Sequence, residues 1–268
     1  MAVDHYENFP VASLLLPRHL RRPVEVIYNF ARQADDFADE GDLPDAERLS
    51  RLNAFRIELN RIAGNEPPLT PLFREVASVV AEHQLPLQLF HDLLNAFSQD
   101  VVKKRYANFD ELLDYCSRSA NPVGRLLLHL YQEATPQNLI YSDAICTALQ
   151  LINFWQDVKK DYAIGRIYLP QDDMARFGVS EDQIALGLSG KAWRDLMRFQ
   201  VDRSSDLMKQ GTPLGSILRG RIGLEMRLII AGGMRILDKI RSVNFDIFER
   251  RPVLRLHDWV IMLLRSAP

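Results

Sequence analysis

Seven side chains with hard oxygen donors fall into two short, widely separated runs. Asp35-Asp36-Phe37-Ala38-Asp39-Glu40 is a DDxxDE run, and Asn153, Asp157 and Asp161 form an N-x3-D-x3-D run. A helix turns about 100° per residue, so Asp35 and Asp39 stand one turn apart on one face, as do Asn153, Asp157 and Asp161. If the two helices face each other, their carboxylates form two ladders across a cavity. That arrangement suits several divalent cations and, through them, a diphosphate.

The neighbours of each run add to this chemistry. Tyr28, Arg32, Asp35 and Asp39 follow i, i+4, i+7, i+11 spacing and share one face, with Ile27, Ala31 and Ala34 on the opposite arc. Acids at a helix C-terminus oppose the macrodipole, so something else must favour them there. The plain alternative is a solvated helix end where acids cluster. Gln150, Asn153, Asp157 and Asp161 lie within an arc of about 80°. They are set among Leu149, Leu151, Ile152, Phe154, Trp155 and Val158. A buried carboxylate without a partner is very costly, and a metal would satisfy it. The plain alternative here is an amphipathic helix with its polar face in water. In Gly165-Arg166-Ile167-Tyr168-Leu169-Pro170, Gly165 can end the helix and Pro170 keeps it from resuming. Arg166 and Tyr168 then hang near the mouth of the carboxylate cavity, or simply pack within the loop.

The elements that must position these groups read as helices. Strand signals are weak, helical periodicity is strong, and Pro and Gly fall mostly between periodic segments. The pattern predicts helices over 10–16, 23–38, 45–63, 69–83, 86–103, 109–118, 122–132, 138–162, 180–187, 190–208, 213–219, 222–241 and 253–265. Breaks fall at 64–68, 85–86, 135–136 and 165–178. One all-α domain over residues 1–268 is the simplest organisation.

Composition excludes several function classes. The chain has 268 residues, 47% of them apolar, and 33 basic against 35 acidic side chains, for a net charge of −2. A nucleic-acid binder usually carries a basic excess, so none is expected as a partner. There is no GxSxG, GxGxxG, phosphate loop or HExxH pair. Lys103-Lys104-Arg105 reads as a solvated helix end, with attraction of an anionic head group as the alternative. Cys116 and Cys146 make no disulfide framework, so reduced thiols are expected. The opening Met1-Ala2-Val3-Asp4-His5-Tyr6 lacks the basic start and apolar run of a signal peptide. No stretch approaches the ~18 apolar residues of a membrane span. The expected location is cytoplasmic.

In order and separation, Tyr28-x3-Arg32-x2-Asp35-Asp36-x2-Asp39, Gln150-x2-Asn153-x3-Asp157-x3-Asp161 and Gly165–Pro170 resemble the squalene/phytoene synthase family. His5-x3-Phe9, Leu16-Pro17 and Asp114-Tyr115-Cys116 with Ala120 and Gly124 are similar to its opening and middle segments. The resemblance implies an all-α isoprenoid-synthase helical fold with a central active-site cavity. It implies Mg2+ held by Asp35, Asp36, Asp39, Asn153, Asp157 and Asp161. Catalytic roles at the diphosphate or the reacting end then fall to Tyr28, Arg32, Gln150 and Tyr168. His5, Phe9, Arg32, Gln150 and Arg166 would contact substrate.

Departures narrow the resemblance. Many relatives carry arginine just before the aspartate of the second motif, where this chain has Gln156. The usual Ala-Gly-x-Val-Gly reads Ala120-Asn121-Pro122-Val123-Gly124, and Phe245 stands where some relatives have tyrosine. Glu7–Ser13, Asn121-Pro122 and Asn153-Phe154-Trp155-Gln156-Asp157 together resemble the bacterial hopanoid-pathway branch. That branch implies Mg2+-dependent conversion of presqualene diphosphate and water to hydroxysqualene and diphosphate. Two alternatives stay open: condensation of two prenyl diphosphates, and a non-catalytic scaffold of the same fold. A lipophilic prenyl diphosphate substrate implies peripheral contact with the inner membrane face and with neighbouring isoprenoid-pathway enzymes.

Overall fold

The computed structural model describes residues 15–259 and Met262. His5, Phe9, residues 10–14 of the helix expected over 10–16 and most of the C-terminal apolar run lie outside the described residues, and Leu15 and Leu16 are not helical. Helices are the regular elements of the described residues, whose one β-type contact is an isolated parallel bridge between Arg105 and Ile167. The chain divides into two compact units.

The first unit comprises the described residues up to Lys103 together with Ser117–Leu139. It contains α1 (Arg18–Asp39), α2 (Asp45–Ala63), α3 (Pro71–His83), α4 (Leu87–Val102) and α6 (Asn121–Leu130). In α1, Leu20, Val24, Ile27, Ala31, Ala34 and Ala38 recur at helical spacing and are buried, the stripe a core-facing helix requires. Their core is aromatic at its centre. Phe30 meets Phe73 and Phe90 edge-on, with ring centroids 5.9 and 5.1 Å apart, and Phe55 meets Phe73 edge-on at 4.8 Å. Such pairs add about 0.5–1.5 kcal/mol beyond the area they bury. Helix α1 begins at Arg18, before the expected start at Pro23. Pro23 lies in the second turn, where its missing N–H removes one helical bond, and its burial against the core offsets that loss.

The second unit comprises Lys104–Cys116 and the described residues from Ile140 onward. It holds most of α5 (Phe109–Ser119) and of α7 (Pro136–Ala163). It also contains α8 (Gln171–Phe177), α9 (Glu181–Ala185), α10 (Lys191–Gly211), α11 (Leu214–Ile217) and α12 (Gly220–Ser242). Two glycines let neighbours approach α7 closely. A Cβ on Gly211 would lie 2.3 Å from Ile145 and 2.7 Å from the Tyr141 carbonyl; one on Gly233 would lie 2.7 Å from Met208 and 3.1 Å from Leu149. Buried Trp155 donates its indole N–H to Ser204 Oγ at 2.8 Å, pinning α7 to α10.

Helix α8 corrects the reading of 165–178 as an uninterrupted break. Pro170 caps its start, Asp172 and Asp173 favour the N-terminal dipole, and Gly178 ends it at φ 70°. Seven residues make a marginal helix alone. Tertiary bonds hold this one, because buried Asp173 accepts from Gln200 Nε2 at 2.8 Å and Arg203 Nη1 at 2.9 Å. The C-terminal helix is also later than expected: 251–255 are non-helical and helix resumes at Leu256.

Candidate active site

The first acidic run occupies the C-terminal end of α1. Tyr28, Arg32, Asp35 and Asp36 are half-buried, while Asp39 is exposed. Arg32 stands among the acids: its Nη2 lies 2.7 Å from Asp36 Oδ1 and donates to Glu40 Oε1 at 2.7 Å, and Nη1 lies 3.6 Å from Asp35 Oδ2. Arg48 from α2 donates to the carbonyls of Phe37, Glu40, Gly41 and Leu43 at 2.6–3.2 Å. The macrodipole penalty that argues for a ligand is thus offset from within the protein, by one guanidinium on the last carbonyls and another on the carboxylates.

The second run lies along α7. Gln150, Asn153, Asp157 and Asp161 are each half-buried on one arc, and Leu151, Ile152, Phe154, Trp155 and Val158 are buried on the others. Asp157 carries a bidentate ion pair: Arg251 Nε donates to Oδ1 at 2.6 Å and Nη2 to Oδ2 at 2.9 Å. Lys160 Nζ adds a contact at 3.2 Å. Burial pushes the Asp157 carboxyl up, but the Arg251 guanidinium and Lys160 ammonium outweigh it and hold the group below the usual carboxylate range.

The loop after α7 does not hang free. Arg166 and Tyr168 are 7% and 8% exposed, so both are packed inward. The Tyr168 ring stacks on Phe154 with centroids 3.8 Å apart and planes within 8°, and Tyr106 and Tyr115 complete the cluster at 5.6 and 5.9 Å. Arg105 clamps the loop from outside, donating to the Gly165 carbonyl at 2.6 Å and to both Glu181 oxygens at 2.7 Å. Arg105 is therefore an engaged structural cation, contrary to the reading of 103–105 as a solvated helix end. Phe245 is buried, and its carbonyl accepts from Trp193.

Sequence reasoning overlooked Arg251. The only signal for it is the basic pair Arg250-Arg251 before Pro252, and no helical spacing links that pair to residue 157.

Among the described residues, no three Asp, Glu, His or Cys side chains gather closely enough to hold a metal ion as they stand. The donor chemistry nonetheless fits Mg2+. Asn153, Asp157 and Asp161 present hard oxygens on one arc, with Asp157 kept ionised, and Mg2+ is commonly held by one or two carboxylates plus phosphate oxygens and water.

Comparison with known proteins agrees with this architecture. The family profile described as squalene/phytoene synthase matches residues 2–258. The chain is 37% identical over 239 residues to the hydroxysqualene synthase of Rhodopseudomonas palustris, covering 88% of this chain and 80% of that one. It is 36% identical over 228 residues to the hydroxysqualene synthase of Zymomonas mobilis, covering 83% and 75%. The crystal structure of squalene synthase HpnC from Alicyclobacillus acidocaldarius superposes with a TM-score of 0.83 at 38% identity, covering 90% of each chain. The expected all-α isoprenoid-synthase fold is the one observed, and the chain belongs to the squalene/phytoene synthase family.

Proposed function

We propose that this protein converts presqualene diphosphate and water to hydroxysqualene and diphosphate, within squalene and hopanoid biosynthesis. The observation that carries the diphosphate chemistry is the half-buried arc of Gln150, Asn153, Asp157 and Asp161, which shares α7 with the buried stack of Phe154 on Tyr168. The hydroxysqualene synthases similar to this chain support the choice of substrate and product.

Mg2+ would be held by Asp35, Asp36, Asp39, Asn153, Asp157 and Asp161. When bound, it supplies Lewis-acid neutralisation of the departing diphosphate. Arg32 and Gln150 would bind diphosphate oxygens, with Tyr28 beside them and Arg166, His5 and Phe9 contacting the rest of the substrate. The carbon–oxygen bond to diphosphate breaks and leaves a cyclopropylcarbinyl cation, which rearranges. The rings of Phe154, Tyr168, Tyr115 and Tyr106 would offer π faces to positive charge and keep bulk water out. One water then forms the new carbon–oxygen bond and loses a proton, and Gln150 or Tyr168 would position it.

No described helix is long and apolar enough to cross a membrane. With substrate and product both lipophilic, we place the protein in the cytoplasm, against the inner membrane face and beside neighbouring pathway enzymes. A product assay tests the reading: purified protein with Mg2+ and no NADPH, given presqualene diphosphate or farnesyl diphosphate. An alcohol of squalene skeleton from presqualene diphosphate alone is expected. A cyclopropyl diphosphate or C30 hydrocarbon from farnesyl diphosphate would make this a condensing synthase. No product from either substrate would favour a scaffold.

A further inference from the structure

The segment 248–252 is fastened along the ligand-bearing stretch of α7 by three separate contacts. Gln156 Nε2 donates to the Pro252 carbonyl at 2.7 Å, and Gln156 is buried. Lys159 Nζ donates to the Phe248 carbonyl at 3.4 Å. Arg251, between those two anchors, closes its fork on Asp157. A carboxamide suits the place: it donates to a buried carbonyl without bringing a second charge beside Asp157. Arg251 itself is partly exposed, with 38% of its side chain accessible, so it can leave Asp157 for water at modest cost.

We propose that Gln156 is a positioning residue: by anchoring the 248–252 strap it sets Arg251 on Asp157 as a resident counter-cation, which a divalent metal must displace. The strap thereby lowers the metal affinity of the second motif and moves when metal binds. This rests on the proposed metal role of Asp157. Both oxygens of Asp157 accept from the guanidinium, so a metal arriving there meets a positive charge and competes with Arg251 for the carboxylate. A partly exposed contact of this kind corresponds to a change in affinity of up to about fivefold.

The test is a Mn2+ titration of the full chain, read by the electron paramagnetic resonance of free Mn2+, with and without inorganic diphosphate. Arg251→Gln should bind Mn2+ more tightly than the wild type, by up to about fivefold. Gln156→Met, similar in volume but lacking the donor, should shift affinity in the same direction. Combined with Arg251→Gln it should add nothing, a non-additivity that a merely structural role would not produce. In the wild type, Mn2+ with diphosphate should also speed tryptic cleavage after Arg250. Equal affinities in wild type and Arg251→Gln, with tight binding lost in Asp157→Asn, would overturn the strap while leaving the metal site standing. Affinities that Asp157→Asn does not alter would overturn both. Additive effects of the two substitutions would leave Arg251 as counter-cation and remove Gln156 from the role.

Discussion

The two acidic helices solve one electrostatic problem by different means. In α1 the counter-cation is local: Arg32 reaches Asp35 and Asp36 from three and four residues away on its own helix. In α7 the main counter-cation for Asp157 is Arg251, 94 residues away in the chain. The first arrangement forms wherever that helix forms, since i, i+3 and i, i+4 side chains are neighbours by geometry. The second exists only if the segment after α12 is folded back onto α7. The carboxylates of α1 thus carry their own neutralisation, and the charge state of α7 is tied to the folding of a distant strap.

Substitution of the carboxylates themselves should have the largest effect. Asp35→Ala and Asp157→Ala should each lower product formation by about 10²–10³-fold or more at constant protein fold, measured as turnover beside circular dichroism. An effect confined to one helix would show that the two runs do not share the chemistry.

Next comes the clamp that holds the chain beyond the strap. Asp258, fully shielded from solvent, accepts from Arg235 Nε at 2.7 Å, from the Arg255 amide at 2.7 Å and from Lys239. Burial pushes its carboxyl up, but the Lys239, Arg255 and Arg235 donors hold it well below the usual range. Asp258→Asn should cost about 3 kcal/mol in urea unfolding, because it leaves two cations facing a neutral group. The sign of the pH dependence follows from the depressed value. The stabilisation is complete above the unfolded carboxyl's pKa of about 4 and is lost as pH falls towards the folded value. Wild-type stability should therefore drop below about pH 4 more steeply than that of Asp258→Asn.

Packing under α7 should rank third. Gly211→Ala forces a methyl group against Ile145 and the Tyr141 carbonyl and should cost about 1–3 kcal/mol in thermal or urea unfolding. The smallest effect is the one that contrasts the helices most directly. Arg32→Gln and Arg251→Gln should each change stability by less than about 1 kcal/mol, because both ion pairs are partly exposed. Only Arg251→Gln should alter the hydrogen exchange of 248–252.

Much of the fold was legible because its helices are long and their apolar spacing regular. The reading of α2 over 45–63 matches the structure, and that of α7 over 138–162 falls within two residues of it at each end. The short helix α8 was not legible, although Pro170, Asp172, Asp173 and Gly178 are all start and stop signals. A seven-residue helix depends on partners, and Gln200 and Arg203 lie on another element. Tyr168 was legible as a residue of interest but not as a buried one. Its burial comes from Phe154 on α7 and from Tyr106, much earlier in the chain.

The sequence alone determined the helical class, the two oxygen-donor runs, the face each occupies and the family those runs resemble. These properties depend on residue type and on a fixed turn per residue, so they are local. Only the tertiary structure decided that Arg251 answers Asp157, that the loop after α7 is clamped by Arg105, and that Gln156 binds the Pro252 carbonyl. Those contacts join segments dozens of residues apart, and no periodicity along one helix encodes what another segment will bring to it.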